Sequence, residues 1–211
     1  MKYLFFAVIF LVRSQNIHAQ SGTADLMAGH EYLHYQQSLT YEFKQYSGVG
    51  WQHLATMIKS YQQDKKSPVQ KDEIMNQVYL TARISKSLLI KGGLFYTNTV
   101  GYRPSIGLQY GIRKNNWMMV ISPRADLVKK GAFEMFLATE FRPPLRKNIR
   151  LYSRIQAMSS VSLKQHNRSY QLIRLGIETK TIQLGAGLTF DEYGRNKTLQ
   201  YNSGIFVRKV F

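Results

Sequence analysis

Apolar and polar residues alternate one by one through most of this chain. A period of two belongs to a strand with two unlike faces, and it excludes an α-helical fold. Ile182, Leu184, Ala186, Leu188 and Phe190 alternate with Gln183, Gly185, Gly187, Thr189 and Asp191. Val78, Leu80, Ala82 and Ile84 alternate with Gln77, Tyr79, Thr81 and Arg83. The same phase holds for Leu108, Tyr110 and Ile112, and for Phe133, Met135, Leu137 and Phe141. Noisier alternation falls at 50–61, 88–98, 117–127, 149–158, 169–178 and 200–211. Polar breaks such as Ser85-Lys86-Ser87 and Lys129-Lys130-Gly131 divide the pattern into segments of about ten residues, the spacing of a transmembrane barrel. A soluble β-sandwich shows the same alternation with the opposite face inward.

The start of the chain bears on the choice, together with the regular hairpin spacing and the end of the chain. Met1-Lys2 is basic, Tyr3 to Val12 is an apolar run, and Ile17-His18-Ala19 precedes Gln20. These are the parts of a secretory signal peptide, so residues 1–19 are expected to be cleaved. The run is too short to span a bilayer as a helix, which takes about 20 apolar residues. An exported chain without a spanning helix is either soluble outside the cytoplasm or a membrane β-barrel. The absence of cysteine excludes a disulfide scaffold, a thiolate zinc site, a thiol nucleophile and a lipid-anchored cysteine. With 44% hydrophobic and 13% aromatic residues the chain has enough apolar surface to fold.

The polar face is the informative one. It carries Arg83, Gln109, Arg124, Asp126, Glu134, Glu140, Arg154, Gln156, Arg174, Glu178 and Asp191, which a membrane barrel would turn toward its lumen and a soluble protein toward solvent. If Arg124, Arg154 and Arg174 pair across strands they close the lumen and brace the wall. If they stand apart, an arginine-lined path favours anions. The formal net charge of +17 suits a solvated rim or anionic lipid headgroups near Lys65, Lys66 and Lys71, and near Lys129 and Lys130. Nucleic acid is not an expected partner, because an exported chain meets little of it and the basic residues are dispersed.

The last strand, from Tyr201 to Phe211, ends on an aromatic residue. This resembles the signal by which bacterial outer-membrane barrels engage the barrel-assembly machinery. Several blocks, among them Glu73 to Tyr79, Gly93 to Asn98, Leu151 to Arg154, Asn167 to Tyr170 and Gly185 to Gly194, resemble a family of small uncharacterised outer-membrane β-barrels of the Bacteroidota. That resemblance covers the chain from about residue 27 onward. It implies a fold and a location, and it carries no activity or functional residues.

The expected architecture is therefore all-β: an antiparallel transmembrane β-barrel in the outer membrane. Residues 49–211 supply about ten strands, with twelve as the alternative. Residues 20–48 serve as a cap, a plug or a first strand, and residues 23–37 alone suggest an amphipathic helix. One motif there carries chemistry: His30-Glu31-Tyr32-Leu33-His34 matches HExxH, in which a helix presents two histidines to zinc. No third ligand follows at the usual spacing, so the match reads as coincidence, with no metal and no cofactor. A barrel enzyme acting on envelope lipid or peptide would need a serine, histidine and acid together at one rim. His166 and Ser169 fall in a segment read as a solvated loop, with nothing to hold them as nucleophile and base. The expected role is a non-catalytic narrow channel or a structural and interaction protein. The alternatives are the barrel enzyme and a soluble secreted ligand-binding barrel. A continuous apolar belt about 25 Å tall would exclude the last.

Overall fold

The computed structural model describes residues 21–61, 72–163 and 165–211. The signal-peptide segment and Lys65, Lys66 and Lys71 lie outside the described residues. The described residues form thirteen strands: β1 (Ser21–Gly29), β2 (Tyr32–Glu42), β3 (Val49–Ser60), β4 (Asp72–Arg83), β5 (Leu88–Thr97), β6 (Gly101–Lys114), β7 (Trp117–Asp126), β8 (Ala132–Phe141), β9 (Pro144–Arg146), β10 (Ile149–Ser162), β11 (Gln165–Thr179), β12 (Ile182–Tyr193) and β13 (Thr198–Val210). Twelve of them close into one antiparallel ring, and β9 is a three-residue appendage between β8 and β10. The ring is sealed by β1 against β13, from Thr23↔Val210 to Gly29↔Gly204. Three strands from that seam β10 pairs with β11, from Arg150↔Glu178 to Ser162↔Gln165.

The ring has twelve strands because β1 and β2, within the segment expected to be a cap, a plug or a first strand, both build wall. The pattern at 23–37, read above as a possible helix, is two strands back to back around His30-Glu31. That turn contains neither glycine nor proline, and tertiary bonds hold it instead. Asn202 Oδ1 accepts from the Glu31 and Tyr32 N–H groups at 3.0 and 3.4 Å, and its Nδ2 donates to the Tyr32 carbonyl at 3.0 Å. Gly29 makes room for that amide, since a Cβ there would lie 2.1 Å from Asn202 Oδ1. Elsewhere the turns carry their own signal. Asn115 and Lys180 occupy the left-handed region at φ 50° and 53°, closing tight connections between β6 and β7 and between β11 and β12.

Charge lies inside and hydrocarbon outside. Arg174, Asp191 and Glu140 are 0%, 1% and 2% exposed, whereas Ile205 and Leu80 are 73% and 68% exposed. A soluble protein cannot leave that much isolated apolar surface in water, while lipid is a good solvent for it. Aromatic residues flank the belt at both ends. Trp117 stacks on Phe141 at 4.4 Å and Tyr41 on Trp51 at 6.4 Å near the end that bears the termini. Tyr96 meets Tyr102 at 4.6 Å and His30 meets Tyr201 at 5.0 Å at the far end. These are the two girdles of an interfacial barrel, and they exclude the soluble secreted reading.

Candidate functional site

The inward positions of the strands enclose a cavity of about 370 Å³. Its lining is polar, with Gln52, Gln77, Gln109 and Gln156 among neighbouring serines and threonines, and it includes seven cationic side chains against three carboxylates. Gln109, Arg124, Glu134, Glu140 and Arg154 border it directly. Gln109 accepts from Gln52 Nε2 at 3.2 Å, linking β6 to β3 across the interior.

Ion pairs subdivide that interior. Arg124 pairs with Asp126 on its own strand and with Glu134 on β8 at 3.0 Å, while Arg103 reaches Asp126 at 3.1 Å. The Arg124 guanidinium also lies 3.8 Å above the Phe95 ring. Glu140 receives Arg154 at 2.5 Å and Arg208 at 2.9 Å, with Arg142 at 3.6 Å. Glu178 receives Arg142 at 3.3 Å and Gln183 at 2.5 Å. Arg174, fully buried, reaches Asp25 on β1 at 3.5 Å. Asp191 takes both prongs of Arg168 at 2.8 and 2.7 Å, and Glu73 takes the same guanidinium at 2.5 Å. Arg83 is at the rim near the termini, 3.2 Å from Glu42. Arg124, Arg154 and Arg174 are therefore all paired, and none of them lines a free cationic path.

Two other cations border the cavity outside these ion pairs. Lys91, on β5, is 4% exposed. Its Nζ lies 5.0 Å from the Tyr79 ring centroid and, among the described residues, makes no ion pair within 4 Å, although Glu134 is close enough to act on it through space. Arg113 of β6 borders the same cavity, where its guanidinium donates to Met118 Sδ at 3.4 Å. Gln52 Oε1 and Arg124 Nε, on residues that border the same cavity, are buried without a hydrogen-bond partner among the described residues. The signal for Lys91 was present in the sequence. A lone lysine midway along an apolar strand, in phase with Leu89 and Phe95, has only the lumen to face.

The histidines fall in unrelated places. His30 sits in the β1–β2 turn, with Nδ1 against the Ser203 backbone at 3.0 Å, and His34 is buried inside the barrel. The two are in a turn and a strand, so the helical face that HExxH requires does not exist. No group of three or more His, Asp or Glu side chains gathers among the described residues. His166 and Ser169, read as a solvated loop, lie instead on β11. A register shift between Ser160 and Val161 turns both outward, and His166 Nε2 lies 2.8 Å from Ser169 Oγ.

No protein-family model matches the chain, and no curated protein matches it. Solved structures do. The KdgM porin superposes at TM-score 0.50 with 9% identity, over 90% of this chain and 99% of that one. An outer membrane channel from Pseudomonas putida F1 matches at 0.49 and 9%, over 90% and 94%. LpxR from Salmonella typhimurium matches at 0.48 and 7%, over 90% and 99%. At these identities the likeness is one of fold. With the inverted polarity and the two girdles, it makes the chain a closed twelve-stranded β-barrel of the bacterial outer membrane, porin-like in architecture.

Proposed function

We propose that the chain is a narrow pore that admits small anions. One observation carries this reading: Lys91 stands buried in a polar cavity with no carboxylate in direct ion-pair contact among the described residues, its nearest acid, Glu134, being already paired with Arg124. A buried ammonium that shares its nearest carboxylate with an arginine is costly, and a mobile anion lowers that cost. The surrounding arginines are already neutralised by Asp126, Glu134, Glu140 and Asp25. They brace the wall and narrow the path, so only small solutes fit beside them. Fixed cations along a constricted pore favour anions over cations.

The test is reversal potential in planar bilayers under a salt gradient, with a heat-modifiability gel confirming the folded barrel. Wild type is expected to show discrete conductance with anion preference, and Lys91→Met to move the reversal potential toward zero. A folded barrel that stays silent would overturn the pore reading and leave a structural or interaction role. An unchanged reversal potential in Lys91→Met would remove Lys91 from the path.

A further inference from the structure

Nucleophile–base geometry appears on the outside of the barrel, at the rim away from the termini. A strand normally sends residues three apart to opposite faces. The irregularity opposite Ser160 and Val161 adds a residue, so His166 and Ser169 share the outer face. Arg168 between them points inward to Asp191. His166 Nδ1 lies 3.0 Å from the Gly194 carbonyl in the turn between β12 and β13. A carbonyl only accepts, so Nδ1 carries the proton and the Nε2 lone pair faces the Ser169 hydroxyl at 2.8 Å. The base is thus fixed in tautomer and orientation by a third group, which is the arrangement of an activated serine. The Ser159 hydroxyl, on β10, is 2.9 Å from Ser169 Oγ. Glu192 stands directly across from Ser169 on β12 and adds a carboxylate to the same face.

Depth in the membrane selects the substrate. Below Ser169 the outward residues of β11 run through Gln171 to Ile173, Leu175 and Ile177, in the apolar belt. Phe190, the outer aromatic of β12, pairs with Gln171 one outward step below the dyad. Aromatic girdles mark the boundary between headgroup and hydrocarbon, where the ester groups of a diacyl lipid lie. From this juxtaposition we infer that Ser169 and His166 form a catalytic dyad for acyl esters of membrane lipid, independent of the pore.

Ser169 Oγ attacks the ester carbonyl carbon as its proton passes to His166 Nε2, and Ser159 donates to the oxyanion. Collapse breaks the bond to the glycerol oxygen, which leaves with the proton from His166. Water then attacks the acyl-serine, His166 takes its proton and returns it to Ser169 Oγ, and the fatty acid departs. No cofactor or redox partner enters the balance.

The experiment uses the full folded chain in phosphatidylcholine vesicles. A fluorophosphonate probe is mapped by peptide mass spectrometry, and fatty-acid release is followed in parallel. Wild type is expected to carry one adduct, on Ser169, and to release fatty acid. Ser169→Ala removes both, and His166→Gln lowers both by about 10²–10⁴-fold, the range of a lost general base. Absence of adduct and release in heat-modifiable wild type overturns the assignment, as does equal labelling of Ser169→Ala. An adduct on Ser169 without fatty-acid release overturns the lipid ester as substrate. Conductance of Ser169→Ala is expected to match wild type, so failure here leaves the pore reading intact.

Discussion

Glu140 meets three arginines inside the barrel, Arg154 and Arg208 directly and Arg142 at longer range. Desolvating that many charges is tolerable only while they neutralise one another. Glu140→Gln keeps the shape and removes the charge, leaving guanidiniums in a low-dielectric interior. The expected loss is about 3–5 kcal/mol, the range for breaking a buried pair, measured by denaturant titration in lipid. Adding Arg154→Met is expected to recover part of it, and strict additivity in this double-mutant cycle would show that the two residues are not coupled. Gly29 is the matching case of shape. Gly29→Ala drives a methyl into the Asn202 amide, with an expected cost of about 1–3 kcal/mol, as for other overpacked sites. Recovery of stability in Gly29→Ala combined with Asn202→Ser would show that the amide is what the methyl displaces.

At the scale of elements, legibility followed whether a turn was closed locally. Ten strands could be read between 49 and 211 because alternation is set by each strand's own two faces, and because polar breaks such as Ser85-Lys86-Ser87 interrupt it. The hairpin of β1 and β2 escaped because its turn is closed by Asn202 and Ser203 of β13. Nothing within residues 20–48 encodes that contact. The inward charges were readable as a face, but their pairing was not. Arg174 meets Asp25 and Arg168 meets Glu73 only after the ring has closed. The dyad of β11 was missed for a related reason. Phase alone puts His166 and Ser169 on opposite faces, and an irregularity defined by the neighbouring strand β10 reverses this.

For the whole molecule, the governing fact is that lipid, not water, solvates the outer face. Ile205 lies midway along β13, pairs with Ala28 and Ala186, and is 73% exposed. Ile205→Arg is expected to destabilise the barrel by about 2–4 kcal/mol in a phospholipid bilayer, the cost of a cation near the midplane. A neutral effect would mean that this part of β13 does not face hydrocarbon.

The tie between Asn202 and the first turn has a kinetic meaning. Synthesis delivers β1 and β2 first, yet the bonds that finish their turn come from a residue 171 positions later than Glu31. A chain cut short before β13 would hold the first hairpin by backbone ladder alone, without its lock. Contacts so distant in sequence are slow to form. The first hairpin of the barrel is thus among the last of its parts to be completed, and the arrival of β13 is the step that turns an open sheet into a vessel.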